Sequence, residues 1–114
     1  PLLDGVAEVL AAALRSVPVT DARVPYVTNA RARATRDREA VREDLARSVA
    51  LPVRWHEATA ILFELGARLF VELPPGRTLT GLAQAALPRA RAVAADEVRM
   101  DSIVALAARE RREP

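Results

Sequence analysis

The sequence predicts an α/β layer fold built on a parallel sheet. Three observations carry that prediction. Short β-rich apolar runs stand at residues 24–29 (VPYVTN), 69–73 (LFVEL) and 92–95 (AVAA). Amphipathic helical stretches lie before, between and after them. Pro or Gly sits at most of the joints. Strands separated by helical stretches give βαβ units, whose parallel strands need helices on both faces. Three short strands make an incomplete sheet, so an unpaired edge or face is expected, docked against more protein.

Each element has its own local reason. Residues 2–15 carry Leu2, Leu3, Val6, Val9, Leu10, Ala13 and Leu14, the spacing of one helix face. Asp4 and Glu8 toward the start and Arg15 at the end suit the helix dipole, and Pro18 stops the helix. In the first strand, Pro25 belongs where its missing N–H is not needed. Asp37 can cap a helix reaching about Ala50, with Val41, Leu45 and Val49 four apart on one face and Glu43 four before Arg47.

Pro52 breaks the chain before a helix over 55–65. There Trp55, Ala58, Ile61, Leu62 and Leu65 form the apolar stripe expected to be buried, and Gly66 stands at the C-cap position. Residues 69–73 read as a mostly buried strand. Pro74-Pro75-Gly76 turns the chain, and Thr78 can cap a short helix that ends before Pro88. After the small-residue strand at 92–95, Asp101 or Ser102 starts a last helix that runs into the charged tail Arg109 to Glu113.

At 114 residues the chain forms at most one domain. With 4% aromatic residues, its core is built mainly from Ala, Leu and Val. The absence of Cys excludes disulfides, thiolate zinc sites and cysteine nucleophiles. No apolar run approaches the roughly 20 residues that span a bilayer, and a cytoplasmic location is expected. Met100 is the only Met, so a preceding segment is expected as well. The pI near 10.3 is poor evidence of a positive field. Every basic residue is Arg, and the net charge is only +2. With no Lys, little titrates between neutral pH and the high pKa of Arg.

The candidate chemical residues are few. His56, the only histidine, falls on the first turn of its helix just off the apolar stripe, and reads as a surface residue; a general base needs a positioned partner. Ser16 and Ser102 are explained as helix-end residues, and no Gly-x-Ser-x-Gly elbow is present. No carboxylate pair beside His56 has metal-ligand spacing.

Arg31, Arg33, Arg36, Arg38 and Arg42 form a basic cluster, with Arg31 and Arg33 on one face of an extended segment. Asp37, Glu39, Glu43 and Asp44 are interleaved and no aromatic residues accompany them. A salt-bridged surface is therefore expected, with a nucleic-acid or protein-interaction patch as the alternative. The Pro-Pro-Gly turn before a helix start could hold an anion on free N–H groups, or serve only as a tight turn. Trp55 reads as a core anchor.

Four joints together resemble the acyl carrier protein malonyltransferase family: Pro1-Leu2-Leu3 opening the first helix, the strand Val24-Pro-Tyr-Val-Thr-Asn29, Pro52-Val-Arg-Trp55, and Glu72-Leu-Pro-Pro-Gly76 followed by Leu79-Thr-Gly-Leu82. The series covers nearly the whole chain in order and spacing. The resemblance implies the C-terminal part of a parallel-sheet, α/β-hydrolase-like acyltransferase domain, with all of 1–114 as one segment of it. It implies that malonyl passes from coenzyme A to an upstream Ser and then to the thiol of an acyl carrier protein. The upstream His serves as base and acid. Malonyl-CoA is then a substrate, and no permanently bound cofactor or metal is implied. The partners implied are the acyl carrier protein and the remainder of the acyltransferase chain.

One family role maps onto this sequence. The resemblance implies that the backbone carbonyl of Ser48, where relatives often have Gln, orients the catalytic imidazole. Relatives of fatty-acid synthesis often carry a basic pair after Leu-Thr-Gly-Leu; here Ala83, Gln84 and Ala85 follow. Pro-Pro-Gly also replaces the commoner Gly-Pro-Gly. Both departures point to the epsilon subunit of malonate decarboxylase, with a fatty-acid or polyketide malonyltransferase as the alternative. The segment alone is expected to be inactive.

Overall fold

The computed structural model describes residues 2–111. Pro1 and the end of the charged tail lie outside them. The chain divides into two compact units, Pro1–Ile61 and Leu62–Pro114.

The first unit contains α1 (Asp4–Arg15), a two-residue strand β1 (Tyr26–Val27), β2 (Ala34–Thr35), α2 (Arg38–Arg47) and most of α3 (Trp55–Glu64). Helix α1 packs along α2. Its C-terminal carbonyls are held by a side chain from that neighbour: the Arg42 guanidinium donates to the Leu14 carbonyl and, at 3.0 Å, to that of Val17. The reason lies in the sequence. Pro18 has no N–H to offer the Leu14 carbonyl four residues back, and a cation at a helix C-terminus also meets the favourable end of the dipole. The rest of the expected α1 stripe is uncovered. Leu2 is 97% exposed and Val9 72%, and no residue of α1 is fully buried.

Strands β1 and β2 pair antiparallel, Tyr26 opposite Thr35 and Val27 opposite Ala34. The expected strand at 24–29 therefore exists but belongs to a hairpin, and does not join the parallel sheet. Its partner is invisible in the sequence, because Ala34 and Thr35 carry no strand pattern of their own. The connecting turn places Ala32 at φ 47°, left-handed for a residue with a Cβ. Thr28 closes it by accepting the Arg33 N–H on its Oγ1 at 3.1 Å. Asp37 caps α2 as expected, accepting the Ala40 N–H at 2.8 Å. The buried face of α2 differs from the expected one. Asp44 and Ala46 are buried, whereas Leu45 and Val49 are exposed.

The second unit is a βαβ unit with a further helix. Strand β3 (Leu69–Glu72) runs parallel to β4 (Arg91–Ala94), in register from Leu69 opposite Arg91 to Glu72 opposite Ala94. Helix α4 (Thr78–Ala86) makes the crossover and packs on both strands, and α5 (Met100–Glu110) packs against β3. The α/β class and the parallel pairing are as read from the sequence. The core is made of small side chains: Ala83, Ala92, Ala94 and Thr80 are buried, with Ile103 of α5. The stripe of α3 is buried only at Ala58: Trp55, Ile61 and Leu62 are half-buried and Leu65 is exposed beyond the helix end, while the buried Thr59 lies off the stripe. Gly66 (φ 101°) ends that helix as expected; its N–H reaches Phe63 and that of Ala67 reaches Leu62. Strand β3 is less buried than expected. Val71 and Leu73 are exposed, because β4 is the only strand paired with it among the described residues.

Candidate functional site

The residue singled out by sequence, Ser48, is the C-cap of α2. Its N–H donates to the Asp44 carbonyl at 2.9 Å. Its own carbonyl is different. Four residues on, where a helix would supply the next N–H, stands Pro52, which has none. Among the described residues no hydrogen bond reaches the Ser48 carbonyl, so it is an open acceptor at the negative end of a helix. The Ser48 hydroxyl turns back to the Leu45 carbonyl at 3.4 Å.

The carboxylate one turn earlier organises the surroundings. Asp44 is 6% exposed. Its Oδ2 accepts the Tyr26 hydroxyl at 2.7 Å and the Asn29 N–H at 2.9 Å, and its Oδ1 accepts the Ala30 N–H at 3.3 Å. Burial, with the carboxylate beside it, pushes the Tyr26 hydroxyl well above the usual phenol range, so it stays a donor. The Asn29 carbonyl then accepts the Arg54 N–H at 2.9 Å, which fastens the Pro-Val-Arg-Trp corner to the β1–β2 turn. Arg54 forms an ion pair with Glu57 on the first turn of α3. A concavity of about 550 Å³ opens beside these residues, lined among others by Thr28, Arg31, Arg33, Asp44, Arg47 and Leu51.

Sequence reasoning places Asp44 among the surface acids interleaved with the Arg cluster. Only the hairpin reveals its role, since its partners are 14 to 18 residues away. The rest of the cluster does read as a paired surface. Arg31 meets Glu43 at 3.4 Å, Arg38 meets Asp21 at 2.9 Å, Arg42 meets Glu39 at 3.6 Å, and Arg36 donates to the Arg23 carbonyl at 2.6 Å. Arg33 has no ion-pair partner among the described residues.

His56 is exposed, and no hydrogen bond reaches its ring among the described residues, so nothing positions it as a base. Ser16 caps α1, with its hydroxyl on the Ala13 carbonyl at 2.8 Å; Ser102 donates its N–H to Asp101 at 2.8 Å. Trp55 is half-buried, and its indole N–H is buried without a partner among the described residues. No group of three or more His, Cys, Asp or Glu among the described residues could hold a metal ion. No helix among them is long and apolar enough to cross a membrane.

In the second unit the Pro-Pro-Gly turn is occupied by the chain's own acids. The Gly76 N–H goes to Asp96, and the Leu79 and Thr80 N–H groups go to Glu72 at 3.2 and 2.7 Å. Glu72 also accepts the Thr80 hydroxyl at 2.7 Å. The tight-turn reading therefore holds over the anion site. It also corrects the expected cap: Thr78 is the first helical residue, and a strand carboxylate does the capping. Desolvation works to raise the Glu72 carboxyl, but its bonds to Thr80 and Leu79 outweigh it and hold it below its ordinary 4.5.

A carboxyl lowered by folding stabilises the fold above its unfolded pKa, and that contribution is lost as pH falls through the folded value. The melting-temperature gap between the wild-type chain and Glu72→Gln is expected to be full at neutral pH and to narrow below pH 4.5. Thermal melts across that range check it; a constant gap would count against the cap.

No family model matches the chain. The malonyl CoA-acyl carrier protein transacylase of Bacillus subtilis (strain 168) is 29% identical over 96 residues, which is 84% of this chain and 30% of that protein. The malonyl-CoA:acyl carrier protein transacylase structure from Xanthomonas oryzae pv. oryzae superposes with a TM-score of 0.78 at 28% identity, over 95% of this chain and 34% of that one. A malonyl-transacylase solved with its type II PKS acyl-carrier protein gives 0.72 at 32% identity, covering 82% of this chain and 30% of that one. The chain thus spans about a third of the length of these relatives. It is homologous to the malonyl-CoA:acyl carrier protein transacylases, and its α/β fold matches the C-terminal part of their structures.

Proposed function

We propose that this chain is the C-terminal segment of a single malonyl-CoA:acyl carrier protein transacylase domain. The complete domain moves malonyl from coenzyme A to the thiol of a carrier protein. The observation that carries this reading is the homology across most of the chain, joined to a superposition over 95% of it. In this reading the segment supplies no nucleophile and no base. It supplies the open Ser48 carbonyl, which accepts a hydrogen bond from the imidazole N–H of a histidine outside the segment. That bond fixes the tautomer and steadies the imidazolium when the ring takes a proton, the part a carboxylate plays in other nucleophile–base pairs. A main-chain acceptor does this whatever side chain position 48 carries.

The uncovered apolar residues Leu2, Val9, Leu73 and Val104 are then where the remainder of the acyltransferase packs. The acyl carrier protein is the proposed second partner, by analogy with the relative solved together with its carrier. The whole works in the cytoplasm without a bound cofactor.

More narrowly, we propose that the enzyme serves malonate decarboxylase as its epsilon subunit. Pro-Pro-Gly at 74–76 and the uncharged Ala83-Gln84-Ala85 support this over fatty-acid synthesis, whose members by the resemblance often carry a basic pair at that place. The second reading, malonyl transfer in fatty-acid or polyketide synthesis, is favoured by the type II PKS carrier with which one relative was solved. One assay separates them. The full-length enzyme is given malonyl-CoA with either the malonate decarboxylase carrier subunit or a fatty-acid carrier, and acylated carrier is read by mass. Transfer to neither sinks the transacylase reading, and faster loading of the fatty-acid carrier selects the second. Residues 1–114 alone are expected to transfer nothing.

A further inference from the structure

We propose that Asp44 is a positioning residue for that reaction: its buried carboxylate sets the direction of the Ser48 carbonyl. The inference rests on the transacylase reading only for what the carbonyl orients; the brace itself stands on the geometry. Segment 48–54 is fastened at both ends, and the far fastening passes through the Asp44 carboxylate. At the near end the backbone alone holds it: the Ser48 N–H bonds to the main-chain carbonyl of Asp44 and the Ala50 N–H to that of Arg47. At the far end, the Arg54 N–H bonds to the Asn29 carbonyl, and Asn29 is held through its own N–H by the Asp44 carboxylate. Between the two ends, Val49, Leu51 and Val53 are all exposed, and Pro52 cannot donate. With little packing along the segment, the helix-end bonds at Ser48 and Ala50 and the carboxylate-held far end together decide how its peptide planes lie.

The carboxylate is also matched to its place. Ionised Asp offers acceptor sites only, and the site presents three donors to it: one hydroxyl and two backbone N–H groups. Asn has the same size but one acceptor oxygen, and its amide NH₂ would face N–H groups. Asp44→Asn therefore disturbs the brace while conserving volume. Tyr26→Phe removes the hydroxyl and leaves both N–H bonds to the turn.

The test uses the full-length enzyme. In Asp44→Asn, kcat for malonyl transfer is expected to fall about tenfold or more, with KM for malonyl-CoA held within about twofold. An acceptor on the imidazole N–H steadies the charged ring, so its loss lowers the pKa of the base. The acidic limb of the kcat/KM profile then moves to lower pH. Tyr26→Phe should leave that limb in place. Independently of activity, amide hydrogen exchange at Asn29 and Arg54 should quicken about tenfold in Asp44→Asn. An unmoved acidic limb overturns the positioning role, and unchanged exchange overturns the brace. A wild-type enzyme that transfers no malonyl, with exchange still dependent on Asp44, overturns the transacylase reading and leaves the brace supported.

Discussion

Asp44→Ala is expected to lower the stability of the first unit by about 3 kcal/mol, the largest effect of any single truncation in it. The carboxylate is 6% exposed and satisfies three donors at once. The half-buried Tyr26 hydroxyl can turn toward solvent. The Asn29 and Ala30 N–H groups sit in a turn that β1 and β2 hold shut, and they cannot. Bonds to a charged acceptor contribute more than neutral ones, and stranded donors add their own desolvation cost. Urea unfolding followed by Trp55 fluorescence measures the loss. A change below about 1 kcal/mol would mean that water replaces the carboxylate without penalty.

Arg42→Ala comes second, at about 2 kcal/mol. Its guanidinium closes the end of α1 at Leu14 and Val17, and its side chain is only 18% exposed between the two helices. Arg42→Met separates two contributions, because it keeps an apolar stem and discards the donors. Amide exchange along α1 is expected to quicken in both variants, and circular dichroism to lose helix signal. Equal stability of the Arg42→Met variant and the wild-type protein would assign the whole effect to packing.

The parts legible in the sequence are those where local chemistry and tertiary structure agree. Asp37 and Gly66 act on neighbours a few residues away, and each stands where the sequence puts it, as does the Pro-Pro-Gly turn. The β1–β2 hairpin is not legible, since Ala34 and Thr35 form a strand only because a turn returns them to Tyr26 and Val27. Asp44 is hidden for a related reason. A helix carboxylate among arginines looks solvated, and what buries it comes from a loop far away in sequence. The apolar periodicity of α1, α2 and β3 foretells the elements correctly and their burial wrongly. Leu45, Val49, Val71 and Val9 have the right spacing but no cover among the described residues.

Two helices in this chain end in the same way, with a proline four residues after a carbonyl. At Leu14 the carbonyl left by Pro18 is taken by Arg42 and by the Val17 N–H; at Ser48 the gap left by Pro52 is not filled among the described residues. What distinguishes the two helix ends is thus whether the chain answers its own vacancy. In the proposed role Ser48 would lend only its backbone, whereas any residue other than Pro at position 52 would bring an N–H to compete for the same oxygen.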